Sequence, residues 1–463
     1  MENSRKSVSD LAGRVADALV PALQPGSTIL LALSGGVDSV VLLHLLHRLA
    51  PANHWQLSAL HVHHGISPHA DTWAEFCAGL CARHGIPFRL EQVDIAPLRD
   101  LGIEAAARNL RHAALDRQAA DFIALAHHRN DQTETMLLQL LRGTGLRGAS
   151  AMPPIRYRPP LPAQLRPLLN VARSELLDYA RQHALTWVED ESNADDAYPR
   201  NFLRHRVLPI LEQRFPACNE TFARSARHFA EAAGLLDQLA QLDAQNAIHK
   251  GGLQVDRLRA LSTARAKNLL RYYLHTLHAP MPHAAQLEDM LKQLCGARQD
   301  AAVKFALGNW QLGRFRDQVY AFPTLPEPEA NFCVLWSGEK LINLPALGGT
   351  LHFDPVIGSG LRMDKLDHAA FTIRLRRGVE RMRPDVKRPT RSLKNLFQEQ
   401  AIPPWQRDRL PLLYCGESLV AIPGIGVECS YQATQQETGI ALRWNIGPNE
   451  QTCASPFPLS DKE

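Results

Sequence analysis

Residues 28–46 read TILLALSGGVDSVVLLHLL. An apolar run of strand character stops at Ser34, two glycines follow, and beyond Asp38 and Ser39 a second apolar stretch has the make-up of a helix. Gly35 and Gly36 remove side chains where the chain turns, so the backbone can approach a ligand closely and take angles closed to other residues. A helix starting near Ser39 aims its free amides and positive dipole end into that gap, and the Ser34 and Ser39 hydroxyls add donors. Such a site selects an anion, phosphate first. The Walker pattern needs Gly-Lys-Ser/Thr, and no Lys is present. A phosphate here is therefore held by amides, hydroxyls and a metal, with Asp38, the only nearby carboxylate, as candidate Mg2+ ligand. The competing reading is a plain strand-to-helix turn capped by Asp38.

Outward from this loop the first half alternates strands and helices. LSALHVHH and DFIALAHH are strand-like, while VVLLHLLHRLA, WAEFCAGLCARHG and TETMLLQLLRG are helical, the last two closing on Gly85 and Gly143. Strands separated by helices of ten or more residues argue for an α/β fold with a doubly wound, mostly parallel sheet. Ligands in such sheets sit at the carboxyl ends of the strands, where SGGVDS, HVHHG and AHHRNDQTET fall. After Pro216 the pattern turns helical: Phe229, Ala232, Leu235, Leu236, Leu239 and Leu242 recur at helical spacing. PTLPEPEAN looks like a linker. FTIRLRR, LPLLY and SLVAI point to a small α+β unit at the end. The expected division is 1–218 for the α/β domain that carries the glycine loop, 219–322 for a mostly helical domain, 323–355 for the linker, 356–447 for the α+β domain and 448–463 for a disordered tail.

The 463 residues, 45% hydrophobic and 21% charged, fit a globular protein of roughly three domains at ~150 residues each. No apolar run approaches the ~20 residues of a membrane span, and the N-terminus lacks the apolar core of a signal peptide, so a cytoplasmic location is expected. Eight cysteines are scattered without a C-x-x-C pair, which argues against a zinc ribbon or a dithiol site. The net charge of +4 says little about partners, but its distribution says more. Arg374, Arg376, Arg377, Arg381, Arg383, Lys387, Arg388, Arg391 and Lys394 crowd one segment, opposed locally by Glu380 and Asp385 alone.

SGGVDS resembles the pyrophosphate-binding loop of the PP-loop ATP pyrophosphatases, which cleave ATP between the α- and β-phosphates. HVHHGISPHADTWAEFC, GIEAAARNLRHAAL, ALAHHRNDQTETMLLQLLRGTGLRGASAM, RPLLNVARSELLDYA, WVEDESNADDAYPRNFLRHRVLP and RPTRSLKNLFQEQAIPPWQRDRLPLLY resemble, in order, the tRNA(Ile)-lysidine synthetase family. The similarity runs from about Thr28 to about Pro423. That family joins lysine to the cytosine at the first anticodon position of an isoleucine tRNA with a CAU anticodon, which changes the tRNA from methionine to isoleucine identity. The resemblance implies ATP and Mg2+ as cofactors, and tRNA(Ile) and L-lysine as partners. It does not fix an oligomeric state, and a homodimer is allowed.

In this chemistry the cytosine carbonyl oxygen attacks the α-phosphate, pyrophosphate leaves, and the lysine amine then displaces AMP from the ring carbon. Charge around the triphosphate must be neutralised, and the resemblance gives that task to Ser34, Gly35, Gly36, Val37, Asp38 and Ser39, with Arg108 as a guanidinium that stays charged throughout. By pattern alone the favoured reading of Arg108 is a surface salt bridge with Glu104, four residues earlier. The amine must also lose its proton. A side-chain amine of pKa ~10.4 is neutral in about one molecule in ~1000 at pH 7, a deficit of roughly 4–5 kcal/mol. Asp131 and Glu134, three apart on one helix face, are expected to line the site as metal ligand, base or lysine anchor, Asp131 with Asp38 at the metal. His63 and His127 are expected near adenine or ribose. Arg200, Asn201 and Arg204 are expected to face substrate, and Arg381, Arg383, Lys387, Arg388 and Lys394 to hold tRNA phosphates. Rival readings are a PP-loop thiolase, which usually needs paired cysteines or an Fe–S cluster, a glutamine-dependent synthetase, which needs an N-terminal cysteine, and an RNA-binding protein with a dead nucleotide site.

Overall fold

The computed structural model describes residues 11–96, 102–249, 251–298, 303–329, 331–362, 370–384 and 389–446. Lys387, Arg388 and the 448–463 tail lie outside them. The chain forms two compact units, 1–238 and 239–463.

The first unit runs α1 (Leu11–Leu19), β1 (Thr28–Ala32), α2 (Val37–Asn53), β2 (Gln56–His63), α3 (Ala70–Arg83), β3 (Phe88–Gln92), α4 (Ile103–Asp116), β4 (Phe122–Ala124), α5 (Arg129–Leu141), β5 (Ile155–Arg158), β6 (Leu161–Leu165) and α6 (Arg173–Gln182). These strands make one sheet of order β3-β2-β1-β4-β6-β5. Every pairing is parallel except the β5–β6 hairpin at the edge. The apolar run of β1 is explained by burial on both faces. Ile29 and Leu31 pack with Val40, Leu43 and Tyr179 of α2 and α6, while Leu30 packs with Leu60, Leu115 and Ile123 on the α4 side. The chain leaves β1 toward β2 and later returns to its other side as β4, so β1 and β4 flank the switch point where such sheets bind ligands. Short segments Pro199–Phe202, Leu203–Val207 in π form, and Leu208–Arg214 follow one another without a break.

In the second unit, helices Thr263–Thr276 and Ala284–Gly296 bury Leu269, Leu270, Tyr273, Leu287 and Leu294 against a five-stranded sheet formed by strands between Ile248 and Pro323. The remainder holds a five-stranded and a four-stranded antiparallel sheet around Trp336, Leu351, Phe371 and Leu413. The expected linker, 323–355, requires correction. Cys333–Trp336 pairs with Phe371–Arg374, and Gly349–Ile357 pairs along its full length with Thr438–Ile446. Only the proline-rich start has linker composition. Beyond it, strands as short as four residues are too brief for their alternation to stand out in sequence.

Candidate active site

The glycine loop lies at the carboxyl end of β1. Gly35 has φ +88°, and a Cβ there would stand 2.8 Å from Val188 Cγ2 and 3.2 Å from Cys77 Sγ. Its carbonyl accepts the Val188 N–H at 3.0 Å. Backbone angle and crowding both require glycine at this position. Gly36 is the N-cap of α2, and no side chain caps the helix, so the amides of the first turn, starting at Val37, are left to a ligand. The Ser39 hydroxyl donates to the Gly36 carbonyl at 2.9 Å and lies 3.1 Å from the Ser34 hydroxyl.

Asp38 in that first turn faces His128, with Oδ2 3.6 Å from Nε2. The same Nε2 is 3.5 Å from Asp131 Oδ2, so His128, only 2% exposed, sits between the two carboxylates. Asp38 Oδ1 is buried and accepts no hydrogen bond. Burial, reinforced by the Asp131 charge, raises the Asp38 pKa above the ordinary carboxylate value against the opposing pull of His128, Arg173 and Arg204. An ionised group that is disfavoured and has an idle oxygen fits a divalent cation, which would add the missing positive charge.

Behind His128 lies a four-membered charge network. Arg200 donates from Nε to Glu134 Oε2 at 2.6 Å and from Nη2 to Asp131 Oδ1 at 2.8 Å. Arg204 donates from Nε and Nη2 to the two Glu134 oxygens at 2.7 and 2.9 Å. Glu134 is fully buried. Burial pushes the Asp131 pKa up, but His128, Arg200, His127 and the His128 amide outweigh it and hold the value down at about 2. Asp131 Oδ2 accepts that amide at 2.9 Å. Each Asp131 oxygen is therefore occupied, which leaves Asp38 as the better-placed metal ligand. Glu134 has guanidinium donors on both oxygens, so service as a base requires an arginine to let go.

The remaining expected residues lie around this centre. His127, at the carboxyl end of β4, is half-buried, and desolvation holds its pKa down at about 3, opposed by Asp131 and helped by Arg166, Arg200 and Arg108. Its ring is therefore neutral at physiological pH. His63 Nε2 is 3.0 Å from Asp71 Oδ1 beyond β2, while His61 is turned inward against the Leu33 carbonyl at 2.9 Å. Arg108 is exposed on α4 and its charge reaches His127. The Glu104 side chain lies outside the described residues. Asn201 donates to the Asp195 carbonyl at 2.9 Å, bracing the loop before the 199–214 helical run. Asn130 Oδ1 accepts the Arg173 amide at 3.2 Å. From sequence, His128 is one of several possible bases in AHHRNDQTET and is not singled out, and Arg166, the first residue of RPLLNVARSELLDYA, has no role.

The C-terminal basic segment is less bare than its sequence. Arg374 and Arg377 share Glu417 at 2.8 and 2.7 Å, Arg376 pairs with Asp408, and Arg391 with Glu399. Arg381 and Lys394 are exposed and form no ion pair with a described carboxylate.

Residues 8–211 match a PP-loop domain model, 253–320 a TilS substrate binding domain model and 371–444 a TilS substrate C-terminal domain model. The tRNA(Ile)-lysidine synthase of Nitrosomonas europaea is 44% identical over 91% of this chain and 93% of its own length. That of Azoarcus sp. is 41% identical over 94% and 96%, and that of Coxiella burnetii 38% over 92% and 94%. With the three domain models in order and near-complete coverage of both chains in each pairing, this chain belongs to the tRNA(Ile)-lysidine synthase family.

Proposed function

We propose that the chain uses ATP to join lysine to the cytosine at the first anticodon position of tRNA(Ile), through an adenylated cytosine. The observation that carries this reading is the uncapped α2 amino end, lined by Gly35, Gly36, Ser34 and Ser39, with Asp38 beside it. The α2 amides and both hydroxyls hold the pyrophosphate that leaves, and Arg108 meets phosphate charge from α4. Asp38 would hold Mg2+, which when bound would supply positive charge to stabilise the departing pyrophosphate. The Asp131–Glu134–Arg200–Arg204 network shapes the floor on which cytosine and lysine meet, and neutral His127 contacts the nucleotide without adding charge. A cytoplasmic site of action fits, and among the described residues no helix is long and apolar enough to cross a membrane.

The test is incubation with labelled L-lysine, ATP and a tRNA(Ile) transcript with a CAU anticodon. Label should enter that transcript and be absent from one with uracil at the first anticodon position. Equal labelling of both would remove the lysidine reading.

The C-terminal domain is proposed to hold tRNA by its phosphates, which fix affinity and register. Glu417, Asp408 and Glu399 already occupy several bases there, and Arg381 and Lys394 face no described carboxylate; these two, together with Arg383, are proposed to carry the load, with Lys387 and Arg388 outside the described residues. Serine at Arg381, Arg383 and Lys394 together should weaken tRNA binding and flatten the log–log salt slope by roughly two to three units, at ~0.7–0.9 per phosphate. An unchanged slope in the folded variant would take these residues out of the interface.

A further inference from the structure

Arg166 follows β6 at the carboxyl edge of the first sheet and is only 7% exposed. Its Nη1 donates to the Pro153 carbonyl at 3.0 Å and its Nη2 to Gln164 Oε1 at 2.8 Å. Gln164 is in turn 3.4 Å from His112 Nδ1 on α4. These two acceptors leave guanidinium donors to spare, and the Nε–H, buried, has no acceptor at all. No described carboxylate forms an ion pair with Arg166. Buried arginines are ordinarily paired with an acid, because an isolated buried charge is strongly disfavoured. Here burial, reinforced by the like charges of Arg156, Arg108 and Arg158, lowers its pKa to about 10. Arg158 has its own acid, bonded to both Asp116 oxygens, and Arg166 has none among the described residues.

We propose that Arg166 anchors the α-carboxylate of the amino-acid substrate at the carboxyl end of β6, the guanidinium taking there the anion that the fold does not supply. The proposal rests on the lysine-transfer reading above. Three observations select a substrate carboxylate over a phosphate of ATP. The phosphates already have amides, hydroxyls and Asp38 at the end of β1. β6 lies two strands from β1 in the sheet, roughly 10 Å away at the ~4.8 Å spacing of neighbouring strands. An extended lysine held by its carboxylate at β6 spans much of that gap, with its side-chain amine toward the centre where cytosine is activated. His127, at the end of the intervening strand β4, is neutral and offers no competing charge. The wall beside Arg166 is held in place by hydrogen bonds. Gln132 on α5 bonds both the Met152 amide and the Met152 carbonyl, at 2.8 and 2.7 Å, and Arg166 holds the next carbonyl along.

The discriminating pair of substrates is L-lysine and cadaverine, the same diamine chain without the carboxylate. The wild-type enzyme should show a KM for cadaverine about 10- to 100-fold above that for L-lysine, the range of a charge-assisted hydrogen bond. In Arg166→Met the KM for L-lysine should rise toward that of cadaverine, while cadaverine's own KM barely moves. Arg166→Lys, which keeps the charge and is the variant better suited to fold, should recover part of the preference. Full preference for L-lysine in either folded variant would overturn the assignment. So would a raised KM for ATP or tRNA with the lysine preference intact, which would mark a phosphate as the occupant. Should neither variant fold, equal KM values for the two amines in the wild-type enzyme would overturn it, and a strong preference would support it. An enzyme that transfers lysine but ignores the carboxylate sinks this inference alone. An enzyme that transfers no lysine sinks it together with the reading on which it rests.

Discussion

Asp38→Asn should fold as well as the wild-type chain, melt at the same temperature or slightly higher, and release pyrophosphate about 100- to 1000-fold more slowly in the presence of Mg2+, ATP and tRNA. The two halves of this expectation have one cause. Burial and the neighbouring Asp131 raise the Asp38 pKa, so the charged form is less favourable in the folded protein than in the unfolded one. Such a group adds stability only at low pH, and that contribution is lost as pH rises through its folded value, so at neutral pH its ionisation is a net cost. Asparagine keeps the shape and removes that cost. The idle Oδ1 shows that no structural bond is lost at that oxygen. Activity moves the other way. A metal at developing phosphate charge is worth several kcal/mol, and roughly 3–4 kcal/mol corresponds to the stated loss of rate. The measurements are a thermal melt and a pyrophosphate-release assay on the same preparation. Near-normal turnover in a folded variant would remove Asp38 from the reaction, and a large drop in melting temperature would mean that its charge is structural.

How far the sequence could be read depended on whether the interacting partner is local. The glycine loop was legible because everything it needs lies between Ser34 and Ser39, and the parallel sheet because each strand carries its own apolar run. Asp131 and Glu134 could be placed on one face of a helix from their spacing alone. Their engagement by Arg200 and Arg204 could not, since the network closes across 66 to 73 residues of chain. The same holds for the basic segment near the end. Counted along the chain, its charge looks unopposed, but Glu417, Asp408 and Glu399 arrive from other elements and neutralise four of its arginines. The place of His128 between two carboxylates was not legible because side-by-side histidines look equivalent in sequence, whereas β4 and the start of α5 send one toward Asp38 and leave the other half-buried at the strand end. Arg166 left no signal beyond membership in a family motif, because the absence of a counter-ion is a property of three-dimensional surroundings.

Glu134→Ala should lower the melting temperature of the first unit by about 10 °C and abolish lysidine formation. The carboxylate is fully buried and accepts three guanidinium hydrogen bonds, so its removal leaves Arg200 and Arg204 in the interior with Asp131 as their one remaining acid among the described residues. Breaking a buried pair from one side costs about 3–5 kcal/mol, because the stranded charge keeps its desolvation penalty. For a unit of this size each kcal/mol is worth roughly 2–4 °C. Loss of stability alone does not establish a role in the site, but a second variant separates the two. Leucine at both Glu134 and Arg204, with Arg200 left to Asp131, removes the stranded charge together with its partner and should recover much of the lost melting temperature. Buried ion pairs can often be replaced by apolar residues without loss of stability. Activity should stay absent, because the network also sets where Asp131 and His128 stand relative to Asp38: Arg200 grips Asp131 Oδ1 while Oδ2 takes the amide of His128. Recovered stability with recovered activity would make the four charges a structural brace. A melting temperature within about 2 °C of wild type for Glu134→Ala would mean that the arginines find water once the carboxylate is gone, and that the burial of this network contributes little to the fold.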